Sequence, residues 1–173
     1  MAASPATRGQ RVWLPVDDAD HSTLATVSDF TKDLVFVERL HAPKHIQSLQ
    51  VELTAAQFAK LPPVVGDPMM PGHDLVVLED INEAYILHTL RLRLGKGQIF
   101  TAIGPVLVVV NPYQPVECCS DKVVQGLSKL YAADPASEPP HAHKIVVAAY
   151  ASLVANTRGS SAQAVLVLSL IHI

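Results

Sequence analysis

An amide, an aromatic ring and two prolines follow directly on an apolar run in the sequence VLVVVNPYQPV, residues 106–116. The run Val106–Val110 predicts a fully buried strand, because a strand with one wet face would alternate polar and apolar residues. The Asn-Pro step after it predicts a turn, since proline has no N–H for the ladder and disfavours helix before it. Ligands collect at the carboxyl ends of strands in open α/β folds, so a bound ligand is one explanation for this corner.

The side chains at this corner include an amide and an aromatic ring. Asn111 offers a donor and acceptors, while a tyrosine ring and a proline together form an apolar wall. On the residues alone, a plain turn leaving a core strand is the simpler interpretation.

Two pairs of histidines, His41 with His45 and His141 with His143, could suggest a metal site. Their spacing argues against one, because residues two apart on a helix point to different faces and neither pair has a cysteine or carboxylate at ligand spacing. We therefore expect no bound metal.

The only cysteines, Cys118 and Cys119, are adjacent. Neighbouring residues do not easily reach disulfide geometry and do not form the Cys-x-x-Cys redox pattern. We interpret them as small, half-buried hydrophobic residues of a protein in a reducing compartment. The sequence also contains neither a Gly-x-Ser-x-Gly elbow nor a Gly-x-x-x-x-Gly-Lys phosphate loop, so it shows no catalytic centre.

Composition narrows the class of protein. Of the 173 residues, 49% are hydrophobic and 17% charged, which is typical of a globular chain. A net charge of −3 without a basic stripe argues against nucleic acid as a partner. The longest apolar stretch, from Ala164 to the end, is too short to span a membrane, and the first ten residues lack the apolar core of a secretory signal. We expect a cytoplasmic protein.

Periodicity predicts a small β unit, a linker and an α/β region. Short strands rich in β-forming residues predict a small barrel over residues 10–60, and in the last of them Leu49, Val51 and Leu53 share one face. Residues 61–73 are rich in proline and glycine and predict a linker. Residues 74–173 form the third part.

The third part opens with a helix over residues 80–94. Asp80 and Glu83 form its predicted capping pair, and the face predicted to be buried carries Ala84, Leu87, Leu90 and Leu94. Four further elements are predicted after this helix: a hairpin turning at Gly104-Pro105, a helix from about Ser120, a helix over 141–154, and a buried strand in AQAVLVL, residues 162–168.

Three stretches in order resemble the start of a myosin motor domain: NEAYILHTLRLR, IFTAIGPVLVVVNPY and PPHAHKIVVAAY. The resemblance covers about residues 74–167, and the preceding barrel is similar to the Src-homology-3-like barrel at the N-terminus of many myosins. It implies an α/β fold in which that barrel precedes the first helices and strands of a P-loop NTPase motor.

The resemblance also implies a role for the corner after the apolar strand. In myosins this is the purine-binding loop, which lies against the adenine of ATP, and Asn111, Pro112, Tyr113 and Gln114 match it. Cys119 stands where the family usually has a tyrosine. The complete protein would bind ATP and Mg²⁺, associate with actin filaments and the cytoskeleton, and hydrolyse ATP; its light chains and cargo are not encoded in this part.

The sequence departs from the family at its end. Where the family has a glycine-rich phosphate loop with a Lys-Thr pair, this chain reads LSLIHI, Leu168 to Ile173. We expect a truncated reading frame whose last six residues are not native, and a fragment that is itself inactive and binds no nucleotide tightly. The alternative is a short non-catalytic interaction module, a barrel with an α/β appendage.

Overall fold

The first sheet is an antiparallel meander of four strands in sequence order: β1 (Arg11–Pro15), β2 (Ser22–Phe30), β3 (Leu34–Arg39) and β4 (Gln50–Thr54). The computed structural model describes residues 6–16, 22–40, 49–70, 72–134, 139–155 and 162–169. His41 and His45 lie outside the described residues. The four strands predicted from the sequence are confirmed.

Alternating side chains of this sheet form the first core. Val12 and Leu14 of β1 pack with residues of β2 and β3, and half-buried Val51 and Leu53 of β4 pack against that cluster, as their alternation predicts. Buried members contributed by β2 and β3 are Ala25, Val27, Val35 and Val37.

The segment after β4 continues along the same sheet. A short helix, α1 (Ala55–Phe58), starts with a capping box between Thr54 and Gln57. The backbone N–H of Trp13 then donates to the carbonyl of Pro62 at 3.0 Å, and the N–H of Val64 donates to the carbonyl of Arg11 at 3.2 Å. The beginning of the predicted linker therefore lies along β1.

Packing divides the chain into two units. The first contains Met1–Pro71 and Leu78–Arg91, and the second contains Gly72–Val77 and Leu92–Ile173. The domain boundaries expected from the sequence, at 10–60, 61–73 and 74–173, concern independent folding and stay a prediction.

Helix α2 (Glu83–Gly95) confirms the helix expected over 80–94. Its cap differs from the predicted one. The N–H of Tyr85 donates to Oδ1 of Asn82 at 2.9 Å, and Nδ2 of Asn82 donates to Asp80 at 2.6 Å. The predicted Asp80–Glu83 pair was wrong, because the capping residue must directly precede the first helical residue and that position belongs to Asn82.

The buried face of α2 also differs from the predicted leucine stripe. Tyr85 packs on the fully buried Trp13, with ring centroids 5.5 Å apart. An aromatic side chain buries more apolar area than a leucine side chain does. The contact between Tyr85 and Trp13 therefore determines which face of α2 is buried in the first unit. The residues expected on the buried face, Ala84, Leu87, Leu90 and Leu94, are only half-buried.

The second sheet is a hairpin of β5 (Phe100–Ile103) and β6 (Val106–Val109), which turns at Gly104 with φ of +54°. The hairpin is confirmed, but the prediction of a fully buried strand was wrong: Val106 is 59% exposed and Val109 54%. Complete burial needs neighbours on both edges and layers on both faces. In the described part of the chain β6 has a strand on one edge only.

Helices α3 (Asp121–Ala133) and α4 (Ala142–Ala155) confirm the two remaining predicted helices. Leu127 and Tyr131 of α3 are buried, and the Ser128 hydroxyl lies 2.6 Å from Nε2 of His143 on α4.

The predicted strand over residues 162–168 was wrong, because 162–169 have no regular structure and are exposed. A strand is stable only when its backbone groups pair in a ladder. No strand pairs with this segment in the described residues. None of the helices in the described ranges is both long and apolar enough to cross a bilayer.

Candidate functional site

The corner after β6 is an exposed turn with a defined geometry. The N–H of Val110 donates to the carbonyl of Ile99 at 3.0 Å, which ends the hairpin ladder. Oδ1 of Asn111 then accepts a hydrogen bond from the N–H of Tyr113 at 2.9 Å, so the asparagine side chain closes the turn. Pro112 between them is half-buried.

Tyr113 is the most unusual residue of this turn. Its φ is +52°, a conformation that side chains other than glycine, asparagine and aspartate rarely adopt. Its side chain is 92% exposed. The hydrogen bond that the Tyr113 N–H donates to Asn111 compensates part of the strain.

The four candidate binding residues named from the sequence lie together on one surface of this turn. Asn111, Tyr113 and Gln114 are exposed beside the half-buried Pro112. The amide oxygen of Asn111 is engaged with the backbone, which leaves its NH₂ group as the donor that can reach a ligand. The turn therefore offers a donor and an apolar surface of ring and proline.

A concavity that the sequence did not reveal adjoins this turn. It has a volume of about 550 Å³ and is lined by the 96–98 turn, Val123 and residues 115–118. Lys96 and Glu117 provide its charged groups. The only sequence signal for it is Gly97, whose φ of +71° lets the chain reverse after α2.

Cys118 lies in the wall of this concavity, on the short 3₁₀ turn Glu117–Cys119. Burial, and then the neighbouring Cys119, raise the pKa of the Cys118 thiol. A raised pKa favours the neutral thiol, which is a poor nucleophile. The half-buried interpretation is confirmed for Cys118, whereas Cys119 is exposed.

His141 and His143 interact with each other through backbone and ring. Nδ1 of His141 accepts the N–H of His143 at 3.0 Å, which assigns the ring proton to Nε2, 3.1 Å from the carbonyl oxygen of Cys118. Burial lowers the pKa of His141; the Cys118 carbonyl opposes the shift and His143 adds to it. Within the described ranges, no three His, Cys, Asp or Glu side chains come together as a metal site.

A buried arginine positions the hairpin that carries the turn. Arg93 of α2 is 2% exposed. Its guanidinium donates to the carbonyl of Phe100 at 2.7 Å, to Oγ1 of Thr101 at 2.9 Å and to the carbonyl of Gly72 at 3.1 Å. The role of this residue has no signal in the sequence, because an arginine near a helix end is usually exposed.

The sequence of this chain is similar to known proteins. A model of the myosin head (motor domain) family matches residues 72–168, which include the hairpin, the turn and both later helices. The high molecular weight form of myosin-1 from Acanthamoeba castellanii is 36% identical over 116 residues, 66% of this chain and 7% of that protein. Unconventional myosin-Va from Gallus gallus is 27% identical over 165 residues, 93% of this chain and 9% of that protein.

The chain thus spans less than a tenth of the length of these relatives. The match nevertheless covers more than half of the chain and contains the turn at its centre. The chain belongs to the myosin head (motor domain) family.

Proposed function

We propose that this chain is the N-terminal part of an actin-based motor ATPase and that its turn at 111–114 forms the purine side of the ATP site. The observation that carries the proposal is the family match over residues 72–168, which contains an exposed turn with a free donor on Asn111. The complete motor would associate with actin filaments and the cytoskeleton.

The residues of the turn fit a purine. An adenine ring could lie against Tyr113 and Pro112 while the NH₂ group of Asn111 donates to a ring nitrogen. The adjoining concavity of about 550 Å³ has room for a base and sugar.

The phosphates and Mg²⁺ need other residues. ATP supplies the phosphoryl group, and its transfer depends on backbone amides, a lysine and oxygen ligands placed around the β and γ phosphates. The sequence contains no Gly-x-x-x-x-Gly-Lys phosphate loop that would supply them. This chain would therefore position the base, and residues outside it would hold the phosphates.

We infer that the first unit corresponds to the small barrel of the family. Its four strands follow one another as an antiparallel meander, and Val12 of β1 pairs with Pro63, which adds a further segment beside the first strand. We interpret this as the beginning of closure into a Src-homology-3-like barrel. The second unit would then be the first portion of the P-loop NTPase fold.

Sequencing intact mRNA beyond the codon for Val167 tests the proposal. We expect a glycine-rich segment followed by Lys-Thr, and the extended protein should release phosphate from ATP faster when actin filaments are added. The 173-residue chain is the matched control and should not. A natural stop codon after Ile173, together with cooperative melting of the 173-residue chain, would instead support the interaction module.

A further inference from the structure

The second unit contains a cavity that is smaller than the concavity beside the turn at 111–114. Its volume is about 160 Å³, and its walls come from the hairpin, α3, the turn after α2 and the segment before α4. All of these segments belong to the second unit. The buried residues of its lining are Arg93, Ile99, Phe100, Leu127, Pro140 and His141.

The lining of this cavity is mostly apolar and includes an aromatic pair. Ile99, Val123 and Leu127 contribute aliphatic side chains. The ring of Phe100 lies against the ring of His141, with centroids 4.3 Å apart. Aromatic ligands pack well on such a pair through offset or edge contacts. The walls therefore suit a compound that contains a ring.

The polar groups in the walls are engaged within the protein. The guanidinium of Arg93 donates to three oxygen atoms of the neighbouring chain. Both ring nitrogens of His141 have backbone partners, one at His143 and one at Cys118. A charged ligand would lose its hydration without taking over these hydrogen bonds. The walls therefore favour an uncharged ligand.

The volume of the cavity matches a single six-membered ring. Apolar cavities of about 150 Å³ that are lined by Leu, Ile and Phe side chains bind benzene. This cavity, at about 160 Å³, has a similar size and a similar kind of lining. His73, Gln98 and Pro139 belong to the lining and are exposed, so a ligand can enter on that side.

We propose that this cavity binds an uncharged aromatic compound of one ring, in contact with Phe100, Val123 and Leu127. The ligand class follows from the volume, the apolar lining and the aromatic wall. Gly97, Cys118 and Val123 also line the concavity beside the turn, so the bound compound would contact residues that the two share. The inference does not depend on nucleotide or actin binding.

Titration of the 173-residue chain with benzene, followed by NMR, provides the first test. The methyl signals of Val123 and Leu127 should shift until they saturate, with a dissociation constant of about 1 mM, and should show Overhauser contacts to the benzene protons. Benzoate has the same ring with a charge and should bind about tenfold more weakly or worse. Absence of saturation, contacts only to other residues, or benzoate binding as tightly as benzene would overturn the proposal.

Filling the cavity provides the second test. V123F adds a ring to a residue of the lining and should weaken benzene binding about tenfold or more, because the added side chain takes up the space of the ligand. The control V146F makes the same substitution at an exposed position of α4 and should bind benzene like the original chain. If the two variants bind benzene equally well, the compound lies elsewhere and the proposal fails.

Enlarging the cavity gives an answer even if V123F does not fold. V123A removes two methyl groups from the lining, and p-xylene carries two methyl groups more than benzene. The ratio of p-xylene to benzene affinity should therefore rise about threefold or more in V123A, and it should stay unchanged in the control V146A. A folded V123A chain with the original ratio would contradict the assignment of the site.

Discussion

Nη2 of Arg93 donates to the carbonyl oxygen of Phe100 at 2.7 Å, and this hydrogen bond ties the first residue of the hairpin to the end of α2. The guanidinium also holds Thr101 and Gly72. A buried cation that satisfies several carbonyl and hydroxyl oxygens is costly to change, because each lost partner leaves a buried acceptor without a donor.

Arg93→Lys should therefore destabilise the second unit by about 2 kcal/mol, since a lysine keeps the charge but loses the planar fork of donors. The measurement is the free energy of opening from hydrogen exchange at Thr101. The control is Arg91→Lys, an exposed position on the same helix. Equal protection in both variants would show that Arg93 does not hold the hairpin.

Hydrogen exchange on the chain should show the strongest protection within residues 10–60 and weaker protection after residue 74. The first sheet has a core of fully buried side chains, whereas α4 has no buried residue among those described. Helices gain most of their stability from packing. Uniformly slow exchange along the chain would contradict this division.

The stability of the second unit should fall as the pH falls below about 6.5. Burial lowers the pKa of His141 in the folded chain, while the unfolded chain binds its proton at the ordinary value of 6.5. The unfolded state then holds more protons, so stability is complete above that pH and decreases as the pH falls toward the folded pKa.

Two measurements check this pH dependence. The His141 ring should titrate below its ordinary pKa in an NMR experiment, and His141→Phe should flatten the melting profile between pH 5 and 7. Tyr150→Phe, at an exposed position of α4, is the control and should keep the slope. A His141 pKa above 6.5 would reverse the sign of the effect.

Asn111 should contribute to nucleotide affinity through its NH₂ group. In the extended motor, Asn111→Ala should weaken ATP binding about tenfold with little change in the turnover of bound ATP, because the purine contacts are equal in the ground and transition states. Asn111→Asp can still accept the N–H of Tyr113 but lacks the donor. If Asp retained the original affinity, Asn111 would serve only to close the turn.

Much of the fold could be predicted from local pattern. The alternation of Val51 and Leu53 predicted a strand, and Gly104 predicted the turn of the hairpin. Both elements depend on residues that are close in sequence. Burial could not be predicted in the same way. Val106–Val109 has the composition of a core strand, yet burial depends on what lies beside it, and the described residues cover one edge only.

The candidate site could likewise be predicted only where it depends on residues close in sequence. The Asn111-Pro112 step predicted the turn because its chemistry is local, whereas the left-handed Tyr113 has no signal in a single sequence. The rotation of α2 depended on Trp13, which is distant in sequence. The role of Arg93 is evident only in the structure, where Phe100 and Thr101 accept its hydrogen bonds.

Titration of the 173-residue chain with Mg-ATP and with adenosine, followed by NMR at Asn111 and Tyr113, tests the central claim most directly. A chain that supplies only the purine side should bind both compounds about equally, with dissociation constants in the range of about 1 mM or weaker, because the phosphates gain no contacts. The shifted signals should be confined to the turn and its adjoining concavity. Micromolar affinity with a strong preference for Mg-ATP over adenosine, or saturation without any shift at residues 111–114, would contradict the account.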